Sequence, residues 1–591
     1  MTIALNLNKL KASEPISISV NDTFESRDKM ITTLHQYGIE INKEFSPAQN
    51  NNKTRWEIKC DDEKCPFRFI ATSPLDCDVW IVTKFVEHNT PCQAQSKNHV
   101  PAKIVALMLK EDFRRCGPVS PTRMQRMSDM AINHNACSRV VKEAQMLLYG
   151  DKEKSFSLLP RYFERLKQKM PGTVAFVEAG DDDRFSRCFL AFSASITGQQ
   201  YCKPVIELDG CFIKNQYLGT ILVAATIDAN GQTFPLAFGV VDTENTATWS
   251  WFLDHLRNIF VISCTSIISD RQKGLINAVE AVLPGCPHAF CVKHLADNAT
   301  GKGSKKARPF IFRLAKAKNL NDYNDILKEM AIVSQTAAEY IEKTADPQRW
   351  VECIFPGNRW GHTTSNVVES LNAAINEARE QPIVQMFDSI RAMLGRWFVS
   401  RRKEARAMIE FPLVPRAVKN LEERLMLLRD LRSIEVDDDE FEVIDSGRVF
   451  NVDIEEKSCS CCDGKEGIPC AHLLMFLTRN GSRGIEYCAP QHSSLWYLRA
   501  YEGRILSVDD VTLESNVESD ERAPEVNVSG PPIAKPRVGR PKKVRMRNAR
   551  EKKSGSKPRR SQTSLEPAQK RIYKCGLCGV VNHNKRGCPN Q

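Results

Sequence analysis

The chain has 591 residues, 42% hydrophobic and 26% charged, which is long enough for several domains and ordinary for globular protein. No stretch of about 18 consecutive apolar residues occurs, and Met1 to Pro15 holds no apolar block of secretory length, so neither a membrane span nor export is expected. The net charge of +11 is uneven: from Pro531 to Gln591, 18 Lys and Arg stand against 2 Glu, leaving the first 530 residues at −5. A basic tail of this kind points to a polyanionic partner or a nuclear address. The 21 cysteines of a long, unexported chain read as metal ligands rather than disulfides.

In chain order, the first predicted unit covers residues 20–95. Trp56-Glu-Ile-Lys-Cys60 and Cys65-Pro-Phe-Arg68 read as strands flanking Cys60-x4-Cys65-x22-His88-x3-Cys92, a zinc-ligand set. Cys92 is its least constrained member, with His99 or Cys77 as alternatives. Residues 100–170 are predicted helical, because Ile104, Leu107, Met108 and Leu109, then Val140, Val141, Ala144 and Leu147, recur at helical spacing.

The largest unit, residues 185–401, has strands first and helices later. Pro204-Val-Ile-Glu-Leu-Asp209 reads as a buried strand ending in an acid. Thr220 to Asp228 and Thr233 to Val241 form a hairpin about Ala229-Asn230-Gly231. Trp249, Phe252, Leu253, Leu256 and Ile259 mark one face of the next helix; Thr265 to Asp270 is again a strand ending in an acid, before a helix from Lys273 to Val282. This order suits a ribonuclease H-like sheet, whose central strands set carboxylates side by side. Two-metal phosphoryl transfer needs such hard oxygen ligands, holding Mg²⁺ ions roughly 3.5–4 Å apart. Alone, two strand-end acids are weak evidence, because solvated turn acids are the commoner case.

The motifs Leu208-Asp209-Gly210, Leu236-Ala237-Phe238, Asp242-Thr-Glu244-Asn245 leading to Trp249-Ser-Trp251-Phe252, Ser269-Asp270-Arg-Gln-Lys-Gly274 and Phe290-Cys291-Val-Lys-His294 occur in that order. Thr364-Ser-Asn366-Val-Val-Glu369-Ser-Leu-Asn372 follows. Together they resemble the Mutator-like transposase domain over about Cys202 to Glu380. The resemblance implies Asp209, Asp270 and Glu369 as ligands of catalytic Mg²⁺ (or Mn²⁺), with a helical insertion at about 296–355. Glu369 rests on that resemblance, since Glu352, Glu377 and Glu380 share its stretch. Cys291 and His294 have three readings: support beside the active site, a zinc site with Cys286 and His288, or packing. Trp360 is placed either to stack on a DNA base or in the core.

The first zinc unit is similar to the WRKY-like fingers at the front of such transposases, although those usually end His-x-Cys or His-x-His. Within 440–478, Cys459-x-Cys461-x8-Cys470-x-His472, preceded by the strand Phe450-Asn-Val-Asp453, resembles a SWIM zinc finger, with Cys462 as a spare thiol. Residues 503–570 read as a disordered basic linker. Its Val538-Gly539-Arg540-Pro541-Lys542-Lys543 fits an imperfect AT-hook, with Arg540, Lys542 and Lys543 on DNA, or a nuclear localisation signal. Cys575-x2-Cys578-x4-His583-x4-Cys588, within 573–590, has the spacing of a CCHC zinc knuckle.

The expected protein is thus an α/β multidomain chain with a ribonuclease H-like core, three Zn²⁺ modules and a basic linker. The resemblance implies a nuclear DNA transposase that binds terminal inverted repeats, cuts and joins double-stranded DNA, and pairs two ends as a homodimer. The alternative is a domesticated, non-catalytic DNA-binding transcription regulator, similar to the far-red-response factors of plants.

Overall fold

The computed structural model describes most residues between 16 and 532; 1–15, 89–101, much of 110–133, 509–525, 533–591 and a few shorter stretches lie outside the described residues. Among those described, no helix is long and apolar enough to cross a membrane.

A five-stranded antiparallel sheet comes first, in the order β1 (Thr23–Phe24), β5 (Trp80–Val86), β4 (Arg68–Thr72), β3 (Arg55–Cys60), β2 (Phe45–Pro47). Phe67, Phe69, Ala71, Trp80 and Val82 bury one side of it against Met30 and Leu34 of helix α1 (Arg27–Glu40). Helices α2 (Ala102–Met108) and α3 (His134–Tyr149) then share a separate small core through Val105, Ala106, Val140, Val141 and Ala144.

The centre is a seven-stranded mixed sheet, order β12-β11-β8-β9-β10-β7-β6. Its strands are β6 (Val174–Ala179), β7 (Phe185–Ala191), β8 (Lys203–Phe212), β9 (Thr220–Ile227), β10 (Thr233–Val241), β11 (Ser266–Ser269) and β12 (His288–Phe290). β8, β9 and β10 run antiparallel in sequence, whereas β11 pairs parallel with both β8 and β12. β9 and β10 are buried along their whole length, as a sheet covered on both faces requires. On one face Ile206, Leu208, Leu222 and Leu236 meet Trp249, Phe252 and Leu256 of α5 (Thr246–Ile259) and Leu275 and Val279 of α6 (Lys273–Val282). On the other, Val205, Ile221, Val223 and Val240 meet Val367, Val368 and Leu371 of α11 (Asn366–Ala374) and Phe387, Ile390 and Leu394 of α12 (Ile383–Ala407). The two-residue period of a strand therefore turns Glu207 and Asp209 towards α11.

Between β12 and α11 the described residues form the α-helices α7 (Val292–Lys302), α8 (Arg308–Ala315), α9 (Leu320–Val333) and α10 (Gln335–Thr344). They have their own core, including Leu295, Ile311, Leu314, Met330, Ile341 and Trp350. After α12 and α13 (Pro415–Met426), a four-stranded sheet, β13 (Arg432–Glu435), β14 (Glu440–Asp445), β15 (Arg448–Asp453) and β16 (Ser458–Cys459), leads to α14 (Ala471–Arg479). The Lys318–Asp445 ion pair, at 3.3 Å, and an Arg448–Asp322 pair fasten this module to the α8–α9 region.

Two expectations need correction. Helix α4 (Lys152–Lys169), placed by sequence in the separate helical region 100–170, packs against β6 of the central sheet and against α12: Phe163 meets Phe387 edge-on at 5.2 Å, and Tyr162 donates to Asp388 at 3.2 Å. Its apolar stripe, with β6 and β7, starts the core well before residue 185. The stretch read as linker from 503 also begins as packed chain. Arg391 donates to the Leu506 carbonyl (3.1 Å), Val508 and Val528 are buried, and Gly530 bridges to Arg184 at the start of β7. These few apolar anchors were averaged away in a polar stretch.

Candidate active site and metal centres

The parallel register sets Leu208 of β8 opposite Ser269 of β11, so Asp209 and Asp270 occupy the next positions side by side. The Asp209 carboxylate accepts from Asn372 Nδ2 (2.8 Å) and from the Gly210 amide (3.0 Å); Asp270 accepts from the Gln272 amide (3.0 Å). Burial, then the neighbouring Asp270 charge, push Asp209 up from 3.8 to about 6. Glu369, one turn before Asn372 on α11, lines the same open cleft as Asp209, together with Asn376 and Arg379. Of the competing acids, Glu352 is held instead by the buried Arg359 guanidinium, with Nε at 3.0 Å.

Around Glu369, the Lys293 ammonium pairs with Oε2, Ser365 Oγ donates to Oε1 (3.4 Å), and His294 Nε2 stands 4.0 Å from Oε1. Cys291 is buried and accepts the Ser365 amide at 3.3 Å. The neighbouring Cys291 thiol is the main cause that raises the His294 imidazole to about 9, and so the ring holds a proton at neutral pH. Although burial opposes it, the neighbouring His294 ring and the Ser365 hydrogen bond hold the thiol below its usual range. Ligand atoms of Cys291, His294 and Glu369 lie within 4.8 Å of one another. Cys286 and His288 point elsewhere: the first donates to the Ile262 carbonyl (3.8 Å), the second pairs with Ser269 Oγ (2.7 Å). The four-ligand zinc site drawn from that string is therefore not assembled.

Sequence reasoning passed over several contributors. Glu207 is wholly buried and accepts the Val367 (2.9 Å) and Val368 (3.1 Å) amides of α11; burial raises it to about 8. Glu244 lies over Gly210, where an added Cβ would come within 2.9 Å of its carboxylate, and Trp249 Nε1 holds it at 3.1 Å. The Asp-Gly pair was the available signal, because a strand glycine marks a close approach. Gly210→Ala is therefore expected to cost about 1–3 kcal/mol. Gly285→Ala, which meets nothing within 4 Å, should be near neutral; thermal melts of the two variants check the contrast.

Among the described residues, two Cys/His groups of zinc-ligand type converge. Cys459, Cys461, Cys470 and His472 bring their ligand atoms within 4.8 Å of one another. His472 stacks on Phe450 with centroids 4.5 Å apart and offers Nε2 to Asp445 (3.4 Å), the carboxylate partner that orients metal-bound histidines. Cys60, Cys65 and His88 converge in the same way, with Cys65 Sγ 3.1 Å from His88 Nδ1 and the ring stacked on Phe67 at 4.2 Å. Their expected fourth ligand, Cys92, lies outside the described residues, as do Cys77, His99, Arg540, Lys542, Lys543, Cys575, Cys578, His583 and Cys588. Trp360 is half-buried and fills the space over Gly467, with His492 at 6.0 Å, so its ring joins the core to the Cys/His module.

Residues 205–298 match the MULE transposase domain family, and residues 441–480 match the SWIM zinc finger family. The transposase for insertion sequence element IS905 of Lactococcus lactis is 25% identical over 194 residues, 30% of this chain and 49% of that protein. Protein FAR1-RELATED SEQUENCE 6 of Arabidopsis thaliana is 23% identical over 291 residues, 46% of this chain and 39% of its own length. Protein FAR-RED IMPAIRED RESPONSE 1 of the same plant is 25% identical over 143 residues, 24% and 17% of the two chains. The chain thus spans half or less of each of these relatives. These matches define a transposase-related protein. More particularly, the chain carries a MULE transposase domain and a SWIM zinc finger.

Proposed function

We propose that the protein is a DDE-type DNA transposase, binding terminal inverted repeats and cutting and joining DNA at Asp209, Asp270 and Glu369. The observation that carries this reading is the adjacency of Asp209 and Asp270 on β8 and β11, with Glu369 lining Asp209's cleft. A ribonuclease H-like core is supported by the order β12-β11-β8-β9-β10, with β8 to β10 antiparallel and β11 and β12 parallel to β8.

The donor set is hard oxygen, and burial, then the neighbouring Asp270 charge, raises the Asp209 carboxyl; closely set carboxylates of this kind fit Mg²⁺ or Mn²⁺. Bound there by Asp209, Asp270 and Glu369, such ions would activate the attacking oxygen and stabilise the leaving one. The protein's own groups do the rest. Asn372 and the Gln272 amide fix the two aspartates, while Ser365 and Lys293 fix Glu369. Arg379 on the cleft wall, and Lys214, which donates to Asn376 at 2.6 Å, offer cations to a DNA phosphate. The protonated His294 is within reach of Glu369 as a proton donor to a leaving oxygen.

The WRKY-like sheet around Cys60, Cys65 and His88 would read the repeat. The basic tail with Arg540, Lys542, Lys543 and the CCHC knuckle would add contacts and direct the protein to the nucleus. A homodimer would pair the two ends. A second reading, a regulator that binds DNA without cutting it, is favoured by the Arabidopsis matches, one of which covers 46% of this chain against 30% for the IS905 transposase. Excision and strand transfer with Mg²⁺ or Mn²⁺, comparing wild type with Asp209→Ala, Asp270→Ala and Glu369→Ala, separate the two. A transposase cuts, and each variant binds DNA normally but loses about 1,000-fold or more in cleavage. Wild type that binds repeats and never cuts establishes the regulator.

A further inference from the structure

We infer that Glu207 is a positioning residue for Glu369, acting as the N-cap of α11 from the neighbouring strand β8. A helix beginning Ser-Asn-Val-Val should cap itself, the Ser365 hydroxyl accepting the amides two or three positions on. It does not: Ser365 makes no side-chain cap, and its Oγ donates instead to Glu369 Oε1 at 3.4 Å. The Val367 and Val368 amides go to one oxygen of Glu207, at 2.9 and 3.1 Å, in a site fully closed to solvent. The Ser365 amide goes to buried Cys291, at 3.3 Å.

Two side chains from outside the helix thus satisfy its first amides and leave the native cap free to hold Glu369. The consequence for Asp209 is direct. Glu207 and Asp209 lie two residues apart on the same face of β8, and Asn372, on the same helix as Glu369, donates to Asp209 at 2.8 Å. α11 is therefore fastened to β8 at its first turn and again near its end, which fixes Glu369 against Asp209. Hydration cannot substitute at a buried helix end, because an amide left unpaired there retains its full desolvation penalty.

This rests on the reading of Glu369 as a catalytic carboxylate, so the test includes readouts that do not need cleavage. Full-length wild type, Glu207→Gln, Glu207→Leu and Ser365→Ala are compared by amide exchange, Mn²⁺ binding and DNA cleavage. Gln keeps an accepting oxygen and is expected to match wild type. Leu is expected to speed exchange at Val367 and Val368 about tenfold or more. It should weaken Mn²⁺ binding, and cleavage should fall roughly tenfold to a hundredfold with repeat binding unchanged. Ser365→Ala is expected to weaken Mn²⁺ binding without faster exchange, the reverse of an ordinary cap; that arm decides even if Glu207→Leu does not fold. Unaltered exchange in Glu207→Leu, a Gln variant as impaired as Leu, or faster exchange in Ser365→Ala overturns the inference. Wild type that binds DNA without cutting removes only the transposase reading, since exchange and Mn²⁺ binding still report on the cap.

Discussion

Asp209→Asn is expected to abolish DNA cleavage and, at pH 7 without divalent metal, to make the protein more stable than wild type. Burial and the adjacent Asp270 raise the folded carboxyl from 3.8 to about 6, so the folded state disfavours the charge that the unfolded chain carries freely. The sign follows: below about pH 4 the group is protonated in both states and costs nothing. Between about pH 4 and 6 the unfolded chain releases the proton first and stability falls; above about pH 6 the full penalty stands. The shift corresponds to at most about 3 kcal/mol, and to about 1–2 kcal/mol once the open cleft's water screens it.

The amide removes that penalty and can keep its neighbours. Asn372 Oδ1 is buried with no hydrogen-bond partner among the described residues, so a flipped Asn372 amide would accept from the new side chain. A rise of several degrees in melting temperature is expected at pH 7, at about 2–4 °C per kcal/mol, vanishing near pH 4. Added Mg²⁺ should reverse the order, because only wild type gains from binding it. Melts across pH with and without Mg²⁺, beside a cleavage assay, give the result. A metal-free variant less stable than wild type at pH 7 would show that Asp209 carries no such strain, and unchanged cleavage would remove it from the triad.

The two strand-end acids were legible because a buried strand has a two-residue rhythm and each run ends in Asp where that rhythm stops. Three of the metal ligands in the SWIM centre were legible from Cys459-x-Cys461 and Cys470 alone, with His472 completing the spacing. What the sequence hid were groups whose meaning comes from a distant partner. Glu207 looked like an ordinary strand residue, since its contacts lie 160 residues away on α11. Cys291 and His294 stood out by spacing, yet in the string that suggested zinc Cys286 turns to the Ile262 carbonyl and His288 to Ser269 of the sheet instead. Gly530 reads as linker, and only its bridge to Arg184 makes it part of the core. Periodicity reports burial within one element; it carries nothing about which element lies opposite.

Cys470→Ser is expected to unfold the SWIM module, rather than loosen it, and to weaken the core beside it. The four ligand atoms already lie within 4.8 Å of one another, with Cys459 Sγ 3.5 Å from His472 Nδ1. Structural zinc contributes on the order of 10 kcal/mol in isolated fingers, comparable with the whole stability of an ordinary domain. A four-stranded sheet of short strands and one helix has no other device of that size. Its side chains are not isolated, however. Val443, Phe450, Val452, Leu473, Leu474 and Phe476 belong to the same hydrophobic cluster as Leu208, Trp249 and Leu275 beneath the central sheet. Unfolding the module would expose that cluster and release the Lys318–Asp445 and Arg448–Asp322 pairs that fasten the helical insertion. Loss of one zinc per chain, new protease cuts between residues 432 and 480, and a lower melting temperature for the remaining core are therefore expected together. Cys65→Ser should lose its own zinc without that wider effect, because the N-terminal sheet closes a separate core around Phe67, Phe69 and Trp80. A Cys470→Ser protein with unchanged zinc content and protease resistance would mean that the finger is held by packing alone.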